Sequence, residues 1–147
     1  MTTHKLPELK HLLSTSVAAR ELRGSRILIY SECLREEWPE VLSEVAEGRV
    51  ALSVCLEREH ISHLTAKIST IIVMSKPSEI AVLTVDGSPH CLQAHFALQQ
   101  ALRITKARLP VKHYVVEKGI IYEVGPELVR IARHLSEIKQ LSMRRGY

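Results

Sequence analysis

Short apolar runs alternate along this chain with longer segments whose apolar residues recur every three or four positions. The runs at 26–30, 50–56 and 80–85 are rich in Val, Ile and Leu, which is typical of strands buried on both faces of a sheet. Two more runs, 111–116 and 120–124, are separated by a short charged stretch that ends in glycine, and this predicts a hairpin. The pattern therefore predicts five strands.

Helical spacing of apolar residues fills the segments around these strands. Residues 6–23 are predicted to form an N-terminal helix that Gly24 ends. Ser88 and Pro89 suit the N-cap and the first position of a helix that runs to about Thr105. The other predicted helices run from Pro39 to about Gly48, from Ile61 to just before Pro77, and onward from Pro126.

Strands that alternate with helices predict right-handed crossovers and a mainly parallel sheet. We therefore expect a single three-layer α/β domain over residues 1–147, doubly wound, of the Rossmann-like or flavodoxin-like type. Its sheet has four or five strands, followed by a C-terminal β-hairpin and a final helix. A chain of 147 residues with 46% apolar and 24% charged residues is long enough to bury a core as one domain.

The three cysteines each lie near the carboxyl end of a predicted strand. Cys33 follows the first strand, Cys55 the second and Cys91 the third. In an open parallel sheet these ends form one edge, where ligands bind. If the strands lie in a 2-1-3 order, the three sulfurs can converge on zinc, with His90 or His60 nearby, or on an iron–sulfur cluster. The alternative is that each cysteine is a small core residue.

The turn from Asp86 to Cys91 is the strongest local signal. Gly87 permits a sharp turn, and the free N–H groups of the helix that follows favour an anion. Asp86, Gly87, Ser88 and His90 are therefore candidate ligand-binding residues. Cys91 falls in the first helical turn, where a lowered pKa favours a catalytic thiolate. The alternative is a plain capped turn whose cysteine packs inward.

Histidines are numerous, with 8 in the chain, and some lie near the same edge. His60 and His63 follow the second strand. His95 lies four residues after Cys91, so the two side chains can lie on one helix face and bind one metal ion. Each histidine is otherwise explained as a surface residue or as a buried ring with one hydrogen bond.

Charge and composition narrow the expected partners. A net charge of +4 without aromatic residues among the basic ones argues against nucleic-acid binding. No apolar stretch reaches the roughly 20 residues that span a bilayer, and no secretory signal is visible. An odd number of dispersed cysteines favours a reducing compartment, the cytoplasm. The run 71–74 is apolar on more than one side, which suits either a homo-oligomer interface or the domain core.

Three functions remain open at this point. The first is a small intracellular ligand-binding domain whose cysteine-lined site holds zinc or an iron–sulfur cluster on Cys33, Cys55, Cys91 and His90. The second is a thiol enzyme that uses Cys91 on a small anionic substrate. The third is a non-catalytic interaction domain with structural cysteines. The sequence names neither a substrate nor a reaction.

Overall fold

The predicted sheet is present in the computed structural model, which describes residues 5–146. Its strands are β1 (Arg26–Ser31), β2 (Val50–Val54), β3 (Glu79–Val85), β4 (Val111–Glu117) and β5 (Ile120–Val124). Their order in the sheet is β2-β1-β3-β4-β5. The first four strands are parallel, and β5 pairs with β4 as the antiparallel arm of the expected hairpin. The predicted three-layer α/β fold is confirmed.

Helices connect the parallel strands and cover both faces of the sheet. They are α1 (Leu34–Glu37), α2 (Pro39–Ala46), α3 (Ile61–Ser75), α4 (Pro89–Thr105), α5 (Pro126–Ile131) and α6 (Leu135–Arg144). Gly48 lies just past α2 with a φ of +75°, a left-handed conformation that glycine adopts without strain at a helix C-terminus. Among the described residues, no helix is long and apolar enough to cross a membrane.

The sheet divides the core into two layers because successive strand residues point to opposite faces. Ile27 and Ile29 of β1 pack in the layer that contains α3 and α4. Leu28 and Tyr30 pack in the layer that contains α2. All four side chains are buried, which explains why the strands read as continuous apolar runs.

The apolar run at 71–74 is divided between the core and the surface. Ile71 and Ile72 are buried against the sheet, whereas Val73 and Met74 are exposed. The run therefore contributes to the core of the domain, and half of it remains available at the surface.

The N-terminal helix predicted over 6–23 is wrong. This segment contains only two short 3-10 turns, Leu12–Ser14 and Arg20–Leu22, joined by irregular chain. Its backbone bonds to the edge of β2 instead, because the Ser53 N–H donates to the Lys10 carbonyl and His11 forms a parallel bridge with Ser53. Leu12 and Leu22 still reach the core, whereas Leu9 is exposed, and pairing with a sheet edge supplies some of the backbone bonds that a helix would have made.

The final helix is also divided, into α5 and α6. α5 packs against the sheet through buried Val129, whereas α6 has no buried residue. Arg130 spans the break, with its guanidinium bonded to Glu127 and Glu137. The apolar spacing continues without a break through α5 and α6, so it predicted one helix. Only α5 has a buried residue that packs against the sheet.

A pair of histidines is buried between α4 and the sheet. His95 Nδ1 lies 2.9 Å from His113 Nδ1, and His95 Nε2 lies 2.7 Å from the Thr84 hydroxyl. Burial, with a smaller effect from neighbouring His113, lowers the pKa of His95 to about 3. Burial lowers the pKa of His113 to about 4. His95 is thus a hydrogen-bonded core residue.

This pair predicts a loss of stability in mild acid. Unfolded histidines take up protons below about pH 6.5, whereas the buried rings resist protonation until pH 4 or below. Their contribution is therefore complete above pH 6.5 and is lost as the pH falls toward the folded pKa values. We expect the free energy of unfolding in urea to drop by roughly 2 kcal/mol for each histidine, so by about 4 kcal/mol for the pair, from pH 7 to pH 5.

The double variant His95→Asn/His113→Asn serves as the control. It removes both titrating rings, so its stability, although lower at pH 7, should change less over the same pH interval. An equally steep pH dependence in this variant would contradict the assignment.

Candidate functional site

A cavity of about 300 Å³ opens at the carboxyl edge of β1, β2 and β3, and all three cysteines line it. Its wall consists of the residues that follow these strands together with the start of α4. The lining residues are Ser31, Glu32, Cys33, Glu37, Val54, Cys55, Leu56, Glu57, Val85, Ser88, His90 and Cys91.

Strand register explains this convergence. β1 lies between β2 and β3, and Tyr30 is level with Ser53 on one side and Leu83 on the other. The three strands therefore end within about one residue of each other, at a spacing of roughly 5 Å. Residues just beyond the strand ends share one edge for that reason, as the 2-1-3 order requires.

Cys91 occupies the third position of α4 and is held by several polar contacts. Its N–H donates to the hydroxyl of the N-cap residue Ser88 at 3.2 Å. Its sulfur accepts a hydrogen bond from the Ser31 hydroxyl, also at 3.2 Å. The side chains of Cys33, Ser31 and Ser88 and the backbone of Val85 all stabilise this sulfur as an anion.

The surroundings of Cys91 favour its thiolate form. A hydrogen bond from Cys33, supported by Ser31 and Ser88, outweighs burial and lowers the pKa of Cys91 to about 5. At neutral pH this sulfur is ionised, and a thiolate is the nucleophilic and metal-binding form of cysteine.

Cys33 is the protonated partner of Cys91. Its hydrogen bond to Cys91, then burial and the charge of Glu37, raise the pKa of Cys33 far above its usual range. The two cysteines therefore share one negative charge and one proton. Cys33 is also solvent-exposed, so it remains accessible from the cavity mouth.

Cys55 lies on the β2 side of the cavity and is half-buried. Its N–H donates to the Glu59 carboxylate at 2.9 Å. Over residues 5–146 no group of three or more His, Cys, Asp or Glu side chains is arranged to hold a metal ion. The zinc and iron–sulfur assignments therefore stay predictions.

Carboxylates surround the cavity mouth. Glu32 pairs with Arg58 and lies 3.6 Å from His11 Nδ1. Glu57 lies 3.6 Å from Nδ1 of His90, which is half-exposed. Arg58 offsets part of this negative charge, and Glu37 adds to it beside Cys33.

The remaining candidates fall outside this cavity. Asp86 and Gly87 line a neighbouring recess of about 300 Å³ on the other side of the turn, with Gly87 at a φ of +85°. His60 caps α3 by accepting the Ser62 N–H, and its ring lies edge-on to His63. Within this turn, Asp86 and Gly87 line the recess, His90 and Cys91 line the cavity, and Ser88 lines both.

Sequence reasoning missed Ser31 and Glu37. The sequence signal that could have identified Ser31 is its polarity at the end of a buried apolar strand. Glu37 stands in a charged run with Arg35 and Glu36 that is typical of an exposed helix start, and only the fold brings it beside Cys33.

A family described as Rossmann-like domain matches this chain over residues 19–145. No curated protein and no solved structure gave a significant match. The matched range covers the whole sheet and both layers of helices. It begins after most of the irregular N-terminal segment.

The Ser31 contact generates a prediction about Cys91. In Ser31→Ala the thiolate loses one hydrogen bond to a charged group, so the pKa of Cys91 should rise by roughly one, about 1.4 kcal/mol. Ultraviolet absorbance of the thiolate, followed against pH, measures this change. Ser43→Ala removes a buried serine on α2 that does not line the cavity, and should leave the titration unchanged. Equal curves for both variants would contradict the assignment.

Proposed function

The chain belongs to the Rossmann-like domain family, and we propose that it uses the carboxyl edge of this fold as a thiol site with Cys91 as the reactive thiolate. The observation that carries the proposal is the hydrogen bond from Ser31 to the Cys91 sulfur inside one open cavity that Cys33 also lines. A structural cysteine needs neither the donors nor the space beside it.

Membership of this family does not by itself imply dinucleotide binding. The first strand leads directly into Ser31-Glu32-Cys33, without the Gly-x-Gly-x-x-Gly turn that lets a pyrophosphate approach the backbone. A thiol and a carboxylate stand where the glycines would be. The edge is therefore suited to sulfur chemistry.

The ligand proposed for this site is a small electrophile of low net charge. The cavity has room for a small molecule only. A small anionic ligand was expected from the turn at the start of α4. However, Glu32, Glu37 and Glu57 line the cavity and would repel a highly charged anion such as a phosphate ester.

A zinc or iron–sulfur site on Cys33, Cys55 and Cys91, with His90 nearby, is the second candidate. The observation that favours it is that all four residues line one cavity. Thiolates and imidazole are suitable zinc ligands, and clusters take thiolates. Cys55 distinguishes the two candidates, because a metal site needs it and the thiol site does not.

Selective alkylation tests the thiol proposal. Reduced protein treated with limiting iodoacetamide at pH 6 should be labelled at Cys91 at least about tenfold faster than at Cys55, because the thiolate is the reactive form. Labelling of Cys91 should reach half its maximal rate near pH 5. Peptide mass spectrometry assigns the labelled residues. Cys55→Ser should retain the fast reaction and Cys91→Ser should lose it. Equally slow labelling of all three thiols would contradict the proposal.

Metal analysis tests the second candidate. Protein purified without oxygen is assayed for zinc, iron and sulfide, with its ultraviolet–visible spectrum, beside Cys55→Ser and Cys91→Ser. The thiol proposal predicts no stoichiometric metal in any of the three proteins. Stoichiometric metal that both variants lose would establish the second candidate instead.

A further inference from the structure

Cys33 lines the same cavity as Cys91, and it has no role in a simple alkylation. We infer that Cys33 is a resolving thiol and that Cys33 and Cys91 reduce a small organic disulfide, forming a reversible disulfide with each other. This inference rests on the proposed function, since it requires Cys91 to be the attacking sulfur.

The topology supports this pairing over the other two. β1 and β3 are adjacent parallel strands, and Cys33 and Cys91 follow them on the same edge. The Ser31 hydroxyl, two residues before Cys33, lies 3.2 Å from Cys91 Sγ. Cys33 and Cys91 line the same cavity, and a hydrogen bond between the two thiols shifts the pKa of each. Cys55 lines this cavity from the β2 side, with β1 between it and the strand that precedes Cys91.

Exposure divides the roles of the two sulfurs. Cys91 is half-buried at the start of α4, whereas Cys33 is exposed at the mouth. A small disulfide that enters the cavity can therefore meet Cys91 while Cys33 stays beside it. The Cys33 thiol then lies in the same cavity and can supply a proton to the leaving group.

The exchange balances as two displacements. The Cys91 thiolate attacks one sulfur of the disulfide RS–SR, an S–S bond forms between Cys91 and SR, and the other half leaves as RS⁻. That leaving group takes the Cys33 proton and becomes RSH. The Cys33 thiolate then attacks Cys91 Sγ, which forms the Cys33–Cys91 disulfide and releases the second RS⁻, protonated by solvent. One disulfide is reduced to two thiols, and the cysteine pair is oxidised.

Hydroxyethyl disulfide is the probe, because it is small and uncharged and so avoids repulsion by the carboxylates of the rim. The reduced full-length chain is mixed with it, the released thiol is quantified, and the protein is analysed by intact mass and peptide mapping. Wild type and Cys55→Ser should release two thiols per chain and lose two hydrogen atoms, with Cys33 bonded to Cys91.

Variants of the pair separate the two displacements. Cys33→Ser and Cys33→Ala should stop at a mixed disulfide on Cys91 and release one thiol per chain. Cys91→Ser should do neither step at a comparable rate. Circular dichroism verifies that each variant is folded.

Two results would overturn the inference. One is a wild-type protein that accumulates the mixed disulfide on Cys91 in the same way as Cys33→Ser. The other is an internal disulfide that includes Cys55. If Cys91 alkylates rapidly yet either result is found, only the resolving role of Cys33 fails. If Cys91 neither alkylates nor exchanges, the proposed function fails as well.

Discussion

Parallel pairing of β1 with β2 on one side and β3 on the other is the constraint on which the rest of this structure depends. It aligns three carboxyl ends within about one residue, so the loops after them must meet. Burial of the strands on both faces makes this register strict, because a slip of one residue would turn each apolar side chain toward the wrong layer. The cavity is thus a consequence of how the core packs.

Within the cavity, the dominant interaction is the sharing of one proton between two sulfurs. Cys91 is partly buried, which by itself would disfavour a thiolate. The donors around it reverse that preference, and Cys33 is the largest of them. Low local polarity makes each of these hydrogen bonds stronger than it would be in water. The same coupling that ionises Cys91 keeps Cys33 protonated, so the two sulfurs differ in charge and in nucleophilicity.

The buried histidine pair shows the opposite outcome of burial. His95 lies one helical turn after Cys91, yet it faces the core and bonds to Thr84 and His113. No anionic partner among the described residues offsets the cost of burying a charged ring, so the ring stays neutral. Helix spacing alone places Cys91 and His95 on one face. Position along α4 separates them, because Cys91 lies in the first turn at the edge of the sheet, whereas His95 lies one turn further on, against Thr84 of β3 and His113 of β4.

The pattern of apolar residues was sufficient for most of the fold. It predicted all five strands, the hairpin, the capped start of α4 at Ser88 and Pro89, and the end of α3 before Pro77, because these features depend on local periodicity and on the backbone limits of proline and glycine. It failed over 6–23, where the spacing of leucines is the same whether they lie on a helix or on a chain laid along a sheet edge.

By itself, then, the sequence determined the class of fold and the edge of the sheet at which its cysteines fall. Only the tertiary structure decided that Cys91 meets Ser31 and Cys33, that Asp86 and Gly87 face a different recess, and that Glu37 adds charge to the site. The physical reason is distance along the chain. Periodicity reports interactions between near neighbours, whereas residues 31, 33 and 91 approach each other only when strand order and register place separate loops together.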